Sequence, residues 1–142
     1  MTTKQSIEIS DAEWEVIRVI WTLGQSTSNE IFENLKEKMK WQMPTIKTLL
    51  GRLVKKGALS ADKEGRAFIY KPLIEEQSTM DHVSQLLFDH MCQMKIGSTI
   101  ADLLDEVALS QSDIVRLRNV IDQKAKNAPE KVECNCLAKK TV

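Results

Sequence analysis

The sequence predicts a mainly α protein with a small β-wing, and three features carry that expectation. Apolar residues recur at spacings of three and four through most of residues 11–56. The period changes once, between Ala58 and Tyr70, to two short extended runs around a glycine. From Met80 the three-and-four spacing returns and continues to Ile121. The expected organisation is a three-helix unit with a hairpin over residues 1–73, a helical unit over 74–127 and a flexible cysteine-containing tail over 128–142.

Ser10-Asp11-Ala12-Glu13 has the S-x-x-E form of a capping box, in which side chain and backbone satisfy each other at a helix start. The helix it opens carries Trp14, Ile17, Ile20 and Trp21 inward and ends near Leu23-Gly24. A second N-cap lies within Ser26 to Asn29, ahead of a stripe of Ile31, Phe32, Leu35 and Met39. Pro44 suits the first turn of a third helix, where a missing N–H costs nothing. In that helix Ile46, Leu49, Leu50, Leu53 and Val54 fill one arc at 100° per residue. Thr45, Lys47, Thr48, Gly51, Arg52, Lys55 and Lys56 fill the opposite arc, and Gly57 is a natural C-cap. The runs 58–62 and 66–70 then read as a hairpin around Lys63-Glu64-Gly65.

In the second half, Met80, Val83, Leu87, Met91 and Met94 predict one long helix, with His82 and His90 inside it. Ile100, Leu103, Leu104 and Val107 make a shorter stripe, and Ser110 caps a last helix that turns Ile114, Leu117 and Ile121 inward. Three such helices bury their stripes poorly alone, so a homodimer is expected to cover Met80, Val83, Leu87 and Met91. The same dimer would cover Leu103, Leu104, Ile114, Leu117 and Ile121; a three-helix appendage closed on itself is the alternative. Cys92, flanked by Met91 and Met94, is expected to pack on the apolar seam.

Composition narrows the classes. A chain of 142 residues with 28% charged side chains supports one good core with an oligomerising extension. It has no apolar run of about eighteen residues, so no membrane span is expected. No basic-then-apolar leader opens the sequence, so the expected location is the cytoplasm, where its three cysteines would stay reduced. The sequence offers no H-E-x-x-H, no phosphate-cradling glycine loop, no C-x-x-C and no Ser/His/Asp set, so neither an enzyme nor a small organic substrate is expected. The net charge of zero conceals a pattern: residues 36–71 hold ten basic against three acidic side chains, while both flanks are acidic. A positive block in a neutral protein suggests a local surface for a polyanion.

Three helices followed by a basic-tipped hairpin is the order of a winged helix-turn-helix. The major groove of B-DNA admits one helix, and the third helix has the outer face such a helix needs. Arg52 can pair bidentately with guanine, and the methyls of Thr45 and Thr48 can meet that of thymine; Lys47 lies on the same arc. Lys55, Lys56, Lys63 and Arg66 suit phosphate, adding affinity and salt dependence rather than specificity. Gly51 costs about 1 kcal/mol of helix propensity relative to Ala, a cost offset if the helix must approach a sugar-phosphate backbone closely.

ISDAEWEVIRVIW (9–21), WQMPTIKTLLGRLVKKGAL (41–59), FIYKPLIEE (68–76) and ALSQSDIVRLRNVI (108–121) together resemble the penicillinase-repressor family (BlaI/MecI/CopY), and most of all its CopY-type copper-responsive transcriptional repressors. The resemblance implies a homodimer with an N-terminal winged helix and a C-terminal helical dimerisation domain. It further implies binding to an inverted-repeat double-stranded operator and repression of adjacent genes. Thr45, Lys47, Thr48 and Arg52 fall on the family's recognition helix, and Arg66 on its wing.

Two branches of that family differ in what releases the DNA. The antibiotic-responsive branch is cut at an Asn-Phe bond, and the corresponding pair here is Asp102-Leu103. The copper branch carries two C-x-C pairs in its tail; this chain has one, Cys134-Asn135-Cys136. Soft thiolates select Cu(I) or Zn(II) over hard ions. A structural zinc site wants four ligands and one tail supplies two, so two tails are expected to cooperate for zinc, whereas Cu(I) accepts two or three thiolates. The residues themselves point only to soft-metal binding; the resemblance to the copper branch implies a repressor of copper-homeostasis genes whose Zn(II) form binds DNA and which Cu(I) releases. Two alternatives stay open: a β-lactamase-type repressor inactivated by proteolysis, and a thiol metal-binding protein whose winged helix is an interaction module.

Overall fold

The computed structural model of the chain describes residues 7–138. Its elements are α1 (Asp11–Leu23), α2 (Ser28–Met39), α3 (Met43–Lys55), β1 (Leu59–Glu64), β2 (Ala67–Pro72), α4 (Glu76–Asp89), a 3-10 turn (Gln93–Lys95), α5 (Ile96–Glu106) and α6 (Gln111–Ala125). Two compact units divide the chain, Met1–Met80 and Asp81–Val142.

The first unit is built as its sequence period dictates. Ser10 and Glu13 close a reciprocal capping box on α1, and Thr27 and Glu30 close another on α2. Val16, Ile17 and Ile20 of α1, Ile31 and Leu35 of α2, and Ile46, Leu49, Leu50 and Leu53 of α3 bury together, joined by Ala58 and Leu59. Truncating a fully buried member such as Leu50 to Ala costs about 2–5 kcal/mol, the lost transfer energy plus a cavity. The two tryptophans differ from their expected inward place. Trp14 and Trp21 are half-buried at the core's edge with ring centroids 5.8 Å apart. There the Trp21 indole N–H donates to the Ile74 carbonyl at 3.0 Å, a partner that a central position would deny it.

The turn between α2 and α3 is three residues long. Lys40 ends α2 in the left-handed region at φ 59°, an uncommon posture for a non-glycine residue. At the far end of α3 the Ala58 N–H bonds the Leu53 carbonyl (2.9 Å) and the Gly57 N–H bonds that of Val54 (3.0 Å). That is a Schellman closure, and Gly57 at φ 86° supplies its left-handed residue.

The hairpin is tighter than expected. Glu64 pairs with Ala67, so Gly65 and Arg66 alone form the loop, and Lys63 and Glu64 belong to β1. Gly65 at φ 65° provides the positive φ that two-residue hairpin loops favour. A further pairing is invisible to local pattern: Ser26 and Tyr70 exchange both backbone bonds, at 3.0 and 2.8 Å, fastening the α1–α2 link to β2.

In the second unit the expected long helix is broken. α4 stops at Asp89; the His90 N–H reaches the Leu87 carbonyl and the Met91 N–H that of Phe88, three residues back rather than four. Cys92 is then extended (φ −61°, ψ 120°) before the 3-10 turn. Met91 and Met94 therefore lie outside α4. Apolar spacing runs unchanged through the break, and this is why periodicity does not register it. Ser110 and Asp113 close a capping box on α6, and the Ser110 backbone and hydroxyl bonds hold the Asp113 carboxyl below its usual range. No described residue from 81 to 138 is fully buried in the single chain.

Candidate nucleic-acid interface and thiol cluster

The first unit divides α3 cleanly. Its inner arc fills the core, while Thr45, Lys47, Thr48, Gly51, Arg52 and Lys55 are all exposed. Pro44, Thr45, Thr48, Leu49 and Arg52 line a shallow concavity on the outer face. A Cβ added to Gly51 would meet nothing within 4 Å, so nothing inside the protein calls for a glycine there. Lys63 near the tip of β1 and Arg66 in the loop are also exposed. Among the described residues the ion pairs engage Arg18, Lys36, Lys38 and Lys56, and none engages Lys47, Arg52, Lys55, Lys63 or Arg66.

Lys56 differs from its neighbours on the arc. Its ammonium lies 2.5 Å from Glu13 Oε1 and donates to the Glu8 carbonyl at 2.6 Å. Burial raises the Glu13 pKa, but the Lys56 hydrogen bond, the Ser10 amide and the Lys56 charge together outweigh it and hold the carboxyl below its usual value. Lys56 thus serves the fold, tying the end of α3 to the start of α1. The capping box disclosed the start of α1, but no sequence signal disclosed this pair, whose members stand 43 residues apart.

The second unit gathers all three cysteines. The Sγ atoms of Cys92, Cys134 and Cys136 lie within 4.8 Å of one another. This corrects the expectation that Cys92 packs on an apolar seam: the break after α4 turns it toward the tail instead. The tail is held there by Gln93, whose backbone N–H donates to Asn135 Oδ1 (3.0 Å) and whose side-chain amide donates to the Glu133 carbonyl (2.9 Å). The Cys136 N–H points at Cys134 Sγ, 3.3 Å away. The thiols share hydrogen bonds unequally. The Met94 amide and then the Cys136 thiol lower the Cys92 pKa, whereas bonding to Cys134 and Cys92 pushes Cys136 up to about 11. Three adjoining thiols are a soft donor set able to hold a metal ion.

Three packed helices, a two-stranded wing and an outward basic face on the third helix define a winged-helix DNA-binding protein. The chain belongs to the penicillinase repressor family, whose sequence profile matches residues 9–123, and it is a transcriptional repressor of that family. It is 50% identical over 133 residues to an uncharacterised 16.5 kDa protein of Latilactobacillus sakei, covering 94% of this chain and 91% of that one. It is 35% identical over 120 residues to the penicillinase repressor of Bacillus licheniformis, covering 84% and 94%. Among solved structures it is similar to the DNA-binding domain of the repressor BlaI (47% identity, 52% of this chain and 90% of that chain, TM-score 0.48). Its relatives in Bacillus licheniformis and Staphylococcus aureus carry the names of a penicillinase repressor and a methicillin resistance regulatory protein. No helix among the described residues is long and apolar enough to cross a membrane.

Proposed function

We propose that the protein is a cytoplasmic, homodimeric, metal-responsive repressor of copper-homeostasis genes. It binds an inverted-repeat operator through α3 and the wing and leaves it when Cu(I) binds the tail thiolates. The observation that carries the DNA half is the division of α3: Ile46, Leu49, Leu50 and Leu53 are buried, while Thr45, Lys47, Thr48 and Arg52 are exposed and, among the described residues, in no ion pair. Thr45, Lys47, Thr48 and Arg52 face base edges, while Lys55, Lys63 and Arg66 meet phosphates. Lys56 is left out of this interface, because Glu13 already occupies its ammonium.

The metal half is supported by the donor chemistry. Cys134 and Cys136 are exposed thiols, and thiolates prefer Cu(I) and Zn(II) to hard cations. Zn(II) accompanies the DNA-competent form and Cu(I) replaces it. The expected dimer contacts are the apolar residues that the second half leaves exposed, among them Leu87, Leu103 and Ile121. A cut between Asp102 and Leu103 is disfavoured, since both lie inside α5, where a protease would have to unwind the helix to reach the bond.

The test is binding of the purified protein to palindromic promoter DNA, followed by fluorescence anisotropy under anaerobic conditions. Specific binding at moderate salt, kept with Zn(II) and lost on adding Cu(I), is expected. Absence of specific binding, or a complex indifferent to Cu(I), would overturn the proposal.

A further inference from the structure

The geometry points to Cys92 as the third ligand of a trigonal Cu(I) site that one protomer completes by itself, with Asn135 as its positioning residue. This rests on the metal-responsive reading above and deepens it. A C-x-C tail alone offers two sulfurs and leaves a third to be found, in the partner's tail or elsewhere. Here it is found in the same chain. Three sulfurs about 2.3 Å from a central ion stand about 4 Å apart in a trigonal plane. The three Sγ atoms already lie within 4.8 Å, so closing on an ion requires a contraction of less than 1 Å by flexible side chains.

The break after α4 is what makes the third sulfur available. A continuous helix would keep the Cys92 side chain on the helix surface and its neighbours' amides in the helical ladder. Instead Cys92 is extended and the chain restarts as a 3-10 turn, leaving the Gln93 N–H in need of an acceptor. Asn135 supplies it, and the Gln93 side chain returns a bond to the Glu133 carbonyl. Asn135 is the middle residue of the C-x-C pair, so the bond that caps the turn also sets both flanking thiols against Cys92. The tail is therefore docked before any metal arrives, which lowers the ordering cost of binding.

The donor count selects the ion. The cluster contains three cysteines and no His, Asp or Glu, among the described residues. Zn(II) in a structural site takes four protein ligands and would still need one. Cu(I) is satisfied by three thiolates, and its binding sends the thiol protons to solvent without any change of oxidation state. The expected stoichiometry is one Cu(I) per protomer, with no sulfur drawn from the partner.

The experiment is anaerobic Cu(I) titration of the full-length reduced protein in competition with a chromophoric Cu(I) chelator. The sulfur coordination number is read from copper X-ray absorption, and helix content by circular dichroism. Wild type should bind one Cu(I) per protomer with three sulfurs. Cys92→Ser should drop the sulfur count to two and weaken binding. Asn135→Ala should keep three sulfurs but lose about 10–100-fold in affinity, as loss of an outer-shell contact does. Unchanged affinity and coordination in Cys92→Ser, or half a copper per protomer with four sulfurs in wild type, would overturn the assignment. The two readings fail separately. Copper that releases operator DNA equally from wild type and Cys92→Ser removes the third ligand but keeps the switch. A three-sulfur copper site with no effect on DNA does the reverse.

Discussion

The Lys56 ammonium and the Glu13 carboxylate are 2.5 Å apart, joining the last turn of α3 to the first turn of α1. Glu13 is 1% exposed and also completes the α1 capping box, so its charge needs Lys56. Lys56→Met should destabilise the DNA-binding unit by about 1–3 kcal/mol, reduced toward the lower end because the ammonium is partly in water. Urea denaturation at neutral pH measures it. Glu13 has a native pKa below its ordinary 4.5, so its contribution is complete above about that pH and is lost as pH falls through the lower native value. Acid should therefore destabilise wild type more steeply than Glu13→Gln. Equal acid slopes would show the pair to be energetically idle. Operator affinity of folded Lys56→Met should be nearly unchanged.

Gly51 has no internal reason to be a glycine, since open space surrounds the position where its Cβ would stand. Gly51→Ala should raise the stability of α3 by about 1 kcal/mol. If the helix approaches a sugar-phosphate backbone at this point, the same methyl group weakens operator binding. Opposite signs in thermal melting and DNA titration are the expected result. A variant both more stable and equally tight on DNA would remove Gly51 from the interface.

What the sequence disclosed and what it hid divide by sequence separation. The capping box of α1, the N-caps of α2 and α6, the buried arc of α3 and the Gly57 closure are local, each set by residues within a few positions of one another. The candidate DNA face was legible for the same reason, since an amphipathic helix displays its outer arc in its own period. The features that escaped join distant residues: Ser26 with Tyr70, Trp21 with Ile74, and Glu13 with Lys56. The thiol cluster escaped twice over. Its third member depends on a helix break that apolar spacing conceals, and its tail is placed by a bond spanning 42 residues.

Arg52 and the wing cations should separate by the kind of loss they cause. Arg52→Ala should cost about 1–3 kcal/mol on the operator and little on random DNA if the guanidinium reads a base. Lys63→Ala and Arg66→Ala should each weaken operator and random DNA alike and lower the salt-dependence slope by about one. Affinity measured at several salt concentrations on both DNAs distinguishes them. Equal loss on both DNAs for Arg52→Ala would reassign it to phosphate.

Leu87 is 54% and Ile121 55% exposed in the single chain, an unusual place for two large aliphatic side chains in a unit none of whose described residues is fully buried. If a second copy covers them, Leu87→Asp and Ile121→Asp cost the isolated chain little but place an unpaired charge in a dry interface. Sedimentation equilibrium should then show wild type as a dimer and both variants shifted to monomer, with helix content preserved. Operator binding should fall by about 10²–10⁴-fold on a full palindrome, because the two half-sites no longer share one ligand. Affinity for a single half-site should be unaltered, which separates lost dimerisation from a damaged winged helix. A wild type that sediments as a monomer at micromolar concentration, or variants that remain dimers, would sink the expectation that these faces pair.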